Sequence, residues 1–408
     1  MSIHSAAIHH QDRASARYLG QRIASVTGFW LSDVIRRRPV VGTLPDIPTR
    51  PEQLTCSWLT EALRKDVPGA EVIAFSCPQR HGGTTMRFSL CVQWNDKGQQ
   101  AGLPTQMFVK TTDSWQQRLM LGLTGMLSGE STFYSRLRPE LDIEAPNGYY
   151  GAYDERSCRS ITVMEDVAAT RGARFLTPVD ASDRAGMEDV LGDLAAMHGR
   201  FWAGPELASN GLRDSFGLIS WTDSLVNFRS RSHVGVKRAN RVIPDEIAGR
   251  TDEIYDANLR TIEIDRVMAS TLLHGDGHAG QRYRTNAGRT GLSDWQVIHR
   301  GHWAWDVAYT MITALSVEDR RAWERDLIAH YLERLAQAGG DAPDFDQAWL
   351  EYRRHCFQPY IAWVFTLGRA AYHPNWQPDE YCLAIIERAG QAIVDLDGFG
   401  ALASAADR

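Results

Sequence analysis

The sequence is short of cysteine, of long apolar runs and of positive charge, and each shortage excludes a class of protein. Six cysteines in 408 residues, at 56, 77, 91, 158, 356 and 382, form no C-x-x-C pair. That excludes a zinc ribbon or a thioredoxin-type motif, and the spread predicts reduced thiols in a cytoplasmic protein. The stretch MSIHSAAIHHQDR has no apolar h-region, so no secretory signal is expected. The longest charge-poor apolar stretch, about His355 to Gly368, is too short to span a bilayer. The net charge is −6, so the chain lacks the dense basic face that grips nucleic acid. With 43% apolar and 23% charged residues, wholesale disorder is excluded.

The hydrophobic period divides the chain. Residues 1–45 read as a polar N-terminal extension with a helix over about Asp12–Arg38, ending in the run Arg36-Arg37-Arg38. Pro45, Pro48 and Pro51 mark a linker, and Thr55 opens a helix with Trp58, Leu59 and Leu63 on one face. From Glu71 the period becomes two. Strands are expected at Glu71–Cys77, Met86–Trp94, Gln106–Lys110, Tyr149–Tyr153 and Ser160–Met164, with a helix over about Ser114–Arg138. Gly82 and Gly83 sit in a hairpin turn between the first two strands. Beyond Glu165 the pattern is helical, at Asp183–Trp202, Trp323–Ala338, Phe345–Gly368 and Glu380–Asp395. Beta first and alpha afterwards predicts an α+β protein with two lobes. The divisions are 1–45 extension, 46–167 sheet lobe and 168–408 helical lobe.

Chemistry concentrates at Leu272–Gln281 and Gly291–Trp295. Three glycines within His274–Gly280 forbid a stable helix, so the segment is a loop. The loop carries His274, Asp276, His278 and Gln281, and a second short strand delivers Asp294. Two acids and an amide converging there suit a hard divalent cation and a proton acceptor. His274 and His278 have the four-residue spacing of a zinc helix, but the glycines exclude that helix and no Glu follows His274. There is no G-x-S-x-G elbow and no G-x-x-x-x-G-K-[ST] loop. Gly398-Phe399-Gly400 stands too near the end of the chain for a useful dinucleotide helix.

His274-Gly275-Asp276, Gln281, Asp294-Trp295-Gln296 and Asp306-Val307-Ala308-Tyr309 resemble the aminoglycoside-phosphotransferase/choline-kinase group of kinase-like small-molecule phosphotransferases, nearest its ecdysteroid-kinase-like branch. Met107–Lys110, Glu130–Tyr134, Val163–Asp166 and Leu194–His198 fall in the matching order, over about residues 50–400. The resemblance implies a protein-kinase-like two-lobed fold, ATP and Mg²⁺ as cofactors, and transfer of the γ-phosphoryl group to a small-molecule hydroxyl. It implies Lys110 on the α/β-phosphates with Glu130 as its partner, and Gly82, Gly83, Thr84 and Thr85 along the phosphates. Backbone near Glu165 and Val167 would meet the base. Asp276 would accept the substrate proton, Asp294 and Gln281 would hold metal, and His274, His278 and Asp306 would support the loop. In such transfer the protein chiefly positions groups and neutralises charge.

The family pattern has Asn where this chain has Gln281. Gln keeps the amide oxygen but adds a methylene and a torsion, and Mg²⁺ tolerates little geometric error. A shifted loop, a weak second metal and a catalytically silent nucleotide-binding protein are the three consequences open. Nine of the 13 tryptophans lie past residue 200. That skew favours a bulky, largely apolar alcohol over a polycationic aminoglycoside, and leaves a hydroxyacyl-CoA open as an acceptor. The acceptor candidates are Trp303, Trp305, Tyr360, Trp363 and Trp376.

Overall fold

Along Met86–Trp94 every second residue from Phe88 (Leu90, Val92, Trp94) is buried, the alternation of a strand with one face on a core. The computed structural model describes residues 14–35, 44–180, 182–370 and 375–406. In it the segment is the spine of a sheet built from β1 (Val72–Ser76), β2 (Arg80–His81), β3 (Met86–Trp94), β4 (Gln106–Thr111), β5 (Gly148–Asp154) and β6 (Arg159–Glu165). The order is β1-β3-β4-β6-β5 with β2 on β3, and every ladder is antiparallel.

Five helices accompany this sheet: α1 (Ala16–Ile35), α2 (Cys56–Leu63), α3 (Asp96–Gln100), α4 (Trp115–Thr124) and α5 (Gly129–Thr132). Thr55 caps α2 by accepting the Trp58 N–H at 3.1 Å. The single helix expected over Ser114–Arg138 is instead broken. Gly125 ends α4 in the left-handed conformation (φ 79°), a standard helix stop. Then come α5 and a π-turn at Phe133–Leu137.

After β6 the chain becomes helical: α6 (Val167–Arg171), α7 (Arg184–Arg200), α8 (Glu206–Ser209), α9 (Ser215–Val226), α10 (Phe228–Ala239), α11 (Thr251–Asp265), α12 (Ala304–Ala314), α13 (Val317–Gln337), α14 (Phe345–Arg354), α15 (Phe357–Leu367), α16 (Asp379–Asp395) and α17 (Gly398–Ala406). Short strands β7 (Arg174–Phe175), β8 (Thr271–Leu273), β9 (Arg282–Arg284), β10 (Thr290–Leu292) and β11 (His299–Gly301) pair as β10-β9-β7 and β11-β8. All eleven residues of α12 are buried, making it the axis of this lobe's core. Two lobes, one a sheet and one helical, give the α+β architecture expected from the sequence. The helix expected over Phe345–Gly368 is split, because Pro359 has no N–H for the residue 355 carbonyl and its ring clashes with it. α8 to α11 had no clear sequence pattern. α17 begins at Gly398, where no useful helix was expected.

α1 packs on both lobes. Asp33 holds Arg118 of α4 at 2.8 Å and also Arg159 of β6. Thr27 accepts the Trp115 indole N–H at 2.9 Å, and Tyr18 meets Trp221 of α9 edge-on at 5.3 Å. Arg36, Arg37 and Arg38 lie outside the described residues. Among the described residues no helix is long and apolar enough to cross a membrane.

Candidate active site

Period two decides which side chains of β4 see the cleft. Met107 and Val109 point into the sheet core, so Phe108 and Lys110 take the opposite face. Lys110 Nζ lies 2.7 Å from Glu130 Oε1 and 3.0 Å from Asp294 Oδ1. One ammonium thus joins the sheet lobe, α5 and the loop after β10. Burial works against the charged lysine, but Asp294 and Glu130 more than offset it and hold the ammonium above its usual value. Burial pushes the Glu130 carboxyl up, with Lys110 opposing and Asp294 assisting. For Asp294 burial also acts upward, but Lys110 wins and the carboxylate is held low.

α5 reaches this position by close backbone contact. A Cβ on Gly129 would meet the Gln296 carbonyl oxygen at 2.4 Å. Phe133, just beyond α5, stacks on Trp295 at 3.8 Å, and Trp295 in turn packs on His274. Asp294 itself has φ 62° and ψ 65°, the left-handed region that costs a non-glycine residue about 1 kcal/mol or more. Gly129→Ala is expected to destabilise the protein by about 1–3 kcal/mol, because a backbone oxygen cannot swing aside. A lower urea midpoint at unchanged m value would register this.

The loop Leu273–Gln281 is held from behind. Asp306, buried on α12, accepts the His274 N–H at 2.6 Å and the Gly275 N–H at 2.9 Å. It also faces His198 Nε2 at 3.3 Å. Gly275 has φ 83°, and a Cβ there would meet the Val297 carbonyl at 2.7 Å, so glycine is required. His274 Nε2 donates to the Ser293 carbonyl at 3.0 Å, and Nδ1 accepts the Asp276 N–H at 3.2 Å. His278 is buried, which lowers its pKa, and its Nδ1 accepts the Gly280 N–H at 3.0 Å.

Asp276 stands at the loop's tip with its side chain 27% exposed, enough to reach a substrate. Its Oδ2 accepts from Gln281 Nε2 at 3.1 Å and its Oδ1 from the Tyr309 hydroxyl at 2.8 Å. Among the described residues no protein group hydrogen-bonds Asp294 Oδ2 or Gln281 Oε1. These two oxygens are hard donors of the kind Mg²⁺ takes.

Asp294, Gln281 and Lys110 open into a cavity of about 450 Å³ between the lobes, bounded also by Phe108, Met164 and Arg87. Arg87 lies opposite Lys110 in the β3–β4 ladder, and its buried Nε has no partner among the described residues. A guanidinium with a free donor beside an ammonium fits an anionic occupant. Gly82 and Gly83 form the exposed β2–β3 turn, with the Gly83 carbonyl accepting from Gln117 Nε2 at 3.0 Å. Neither has a positive φ. Thr84 is half-buried, while Thr85 is buried in the sheet lobe beside Lys110, Glu130 and Ser131.

Glu165 and Val167 line the same cavity at the lobe junction. The Glu165 carboxylate turns away, to Arg171 at 2.5 Å, Thr170 at 2.6 Å and Asn147. Arg171 also binds Glu144 at 2.5 Å and so ties α6 to the segment before β5. Burial of Glu165 is outweighed by Arg171 and Thr170, which hold its pKa low.

The aromatic acceptor candidates need correction. Trp303, Trp305 and Tyr360 are 1–3% exposed and pack in the helical lobe's core. Trp303 stacks on Tyr331 and donates to Glu351 at 3.1 Å. Trp363 is buried as well, donating to the Tyr309 hydroxyl at 3.0 Å and packing edge-on against His278 at 5.1 Å. Trp376 is half-buried against Phe365. Aromatic side chains on helices pack inward unless something opens the core, and the tryptophan skew reflects that packing. Arg87, Arg171 and Tyr309 were not singled out from sequence. Only Tyr309 had a signal, as the last residue of the Asp306–Tyr309 run.

The chain, with its sheet lobe and helical lobe around a Lys–Glu–Asp cluster, is similar to proteins of the aminoglycoside-phosphotransferase/choline-kinase-like kind. Residues 280–362 match the model of the family DUF1679, described as uncharacterized oxidoreductase dhs-27. No curated protein matches in sequence. Among solved structures the chain is similar to the choline kinase LicA from Streptococcus pneumoniae, with 15% identity, 79% of this chain and 94% of that one covered, and a TM-score of 0.43. It is similar to a choline kinase from Cryptosporidium parvum Iowa II, with 12% identity, 84% and 96% covered, and a TM-score of 0.46. It is also similar to the macrolide 2'-phosphotransferase MphH from Brachybacterium faecium, with 14% identity, 78% and 94% covered, and a TM-score of 0.42.

Proposed function

We propose that this protein is an ATP- and Mg²⁺-dependent phosphotransferase that phosphorylates a hydroxyl of a small molecule. The observation that carries this is the position of Lys110 Nζ, paired with both Glu130 and Asp294 in the lining of the inter-lobe cavity. Lys110, oriented by Glu130, places a fixed positive charge where phosphates enter, with Arg87 beside it. The Gly82–Thr84 turn, outside the cavity's lining, would cover the phosphates, whereas Thr85 is buried in the sheet lobe and would not reach them; backbone at Glu165–Val167, which does line the cavity, would meet the base. Asp294 Oδ2 and Gln281 Oε1 would hold the metal, which when bound neutralises phosphate charge. Asp276 accepts the proton of the attacking hydroxyl.

The matched family's description names an oxidoreductase, but the strands argue otherwise. Dinucleotide sites of the doubly wound kind form where a parallel sheet reverses its strand order. Every ladder among the described strands here is antiparallel. The acceptor is proposed as a hydroxyl-bearing small molecule, because Trp303, Trp305 and Trp363, which favoured a bulky apolar alcohol, lie buried in the core.

Calorimetry with ATP and MgCl₂ tests the nucleotide site. Saturable binding at one site, weakened by removing Mg²⁺ with EDTA, is expected. Incubation with a metabolite extract and Mg·ATP should then give a compound heavier by one phosphoryl group, with stoichiometric ADP. Absence of nucleotide binding overturns the proposal. Tight binding with no phosphorylated product favours the silent, nucleotide-binding alternative that Gln281 raises.

A further inference from the structure

Tyr309 shares a run with Asp306, which braces the loop, but its own hydroxyl has a different position. It lies 2.8 Å from Asp276 Oδ1 and 3.0 Å from Trp363 Nε1. An indole N–H can only donate, so Trp363 fills a lone pair on the tyrosine oxygen and the single phenolic proton points to Asp276. The relay has one direction, from Trp363 to Tyr309 to Asp276. Burial and the Asp276 carboxylate both raise the phenol's pKa, so the donor keeps its proton. Both rings are about 3% exposed, and Trp363 is wedged edge-on against His278 at 5.1 Å. On the other side Gln281 donates its amide N–H to Asp276 Oδ2.

We propose that Tyr309 is a positioning residue that fixes the Asp276 carboxylate for proton acceptance, itself oriented by Trp363. The proposal rests on the phosphotransferase function above. A carboxylate's last torsion is broad, so an aspartate on a glycine-rich loop does not hold one plane unaided. One donor on each oxygen pins that plane and leaves the remaining lone pairs to an incoming hydroxyl. Among the described residues Tyr309 is the donor to Oδ1, and it comes from the rigid helix α12 rather than from the loop.

The test compares Tyr309→Phe, Trp363→Phe and the double variant with Asp276→Asn, using Mg·ATP and measuring phosphate release to water. Tyr309→Phe is expected to lower kcat about ten- to hundredfold with the KM for ATP within about twofold, since misplacing a reacting group costs rate rather than ground-state binding. Trp363→Phe should cost less, and the double variant no more than Tyr309→Phe, because Trp363 acts through the hydroxyl. A second readout needs no turnover. In ¹⁵N-indole-labelled protein the Trp363 N–H resonance should move in both Tyr309→Phe and Asp276→Asn. If Asp276→Asn silences the enzyme while Tyr309→Phe keeps wild-type kcat, the relay is overturned and the phosphotransferase function stands. If Asp276→Asn leaves kcat unchanged, that function fails first. If no phosphate release is detectable, the resonance decides alone, and an unmoved Trp363 signal in either variant overturns the relay.

Discussion

Asp276→Asn is expected to lower phosphoryl transfer by about 10²–10⁴-fold, the usual contribution of a positioned general base. The fold and nucleotide affinity should be nearly unchanged. Asn is isosteric, but its one amide oxygen can accept only the Gln281 N–H (3.1 Å) or the Tyr309 hydroxyl (2.8 Å), so loss of the other bond costs about 1 kcal/mol of stability without unfolding the protein. The loop's attachment to α12 runs through the His274 and Gly275 amides onto Asp306, and none of these bonds uses the Asp276 side chain. Steady-state rates with the acceptor found by mass spectrometry, and calorimetry with Mg·ATP, separate the two effects. A variant that binds Mg·ATP normally but transfers no phosphoryl group is the expected result. Loss of binding together with turnover would mean that Asp276 acts on the nucleotide rather than on the hydroxyl.

Lys110→Met should be damaging in two ways at once. It removes the cation between two carboxylates, of which Glu130 is buried and Asp294 sits on strained backbone. Breaking a buried ion pair by deleting one partner costs about 3–5 kcal/mol, because the remaining charge is left uncompensated. Mg·ATP binding should be lost as well. The pH dependence has a definite sign. In the native protein burial already pushes Glu130 upward, while Lys110 is what holds Asp294 low. Without the lysine both folded-state values rise above those of the unfolded chain. Such groups contribute stability at low pH that is lost as pH rises through the folded values. The gap in melting temperature between wild type and Lys110→Met should therefore be narrow near pH 5 and wide at pH 8. A gap independent of pH would show that these carboxylates do not carry the cost.

Much of the architecture was legible because it follows from periodicity. β3 was bounded as Met86–Trp94 by alternation alone, and β4 and β6 were located to within a residue or two. Helix ends were less legible. Gly125 stops α4 and Pro359 splits α14 from α15, and both signals were present in residues read as helix interior. The site was legible as an ordered set of residue types: Lys110, Glu130, Asp276 and Asp294. That Lys110 touches both acids, 20 and 184 positions away, was beyond any local pattern.

The acceptor candidates failed for a physical reason. A tryptophan at helical spacing has the same sequence signature in a core as beside a pocket, and Trp303, Trp305 and Tyr360 lie in the core. Arg87 and Tyr309 escaped notice because their importance lies in partners brought from elsewhere. Arg87 meets Lys110 across a ladder, and Tyr309 meets Asp276 and Trp363 at separations of 33 and 54 residues. By itself the amino-acid order determined the two-lobed division, the loop and the chemical inventory of the cleft, since local steric and hydrophobic preferences act over a few residues. Only the tertiary structure decided which charges are paired, which aromatic rings are buried and which side chains orient Asp276, because those depend on long-range packing that brings distant segments within hydrogen-bond reach.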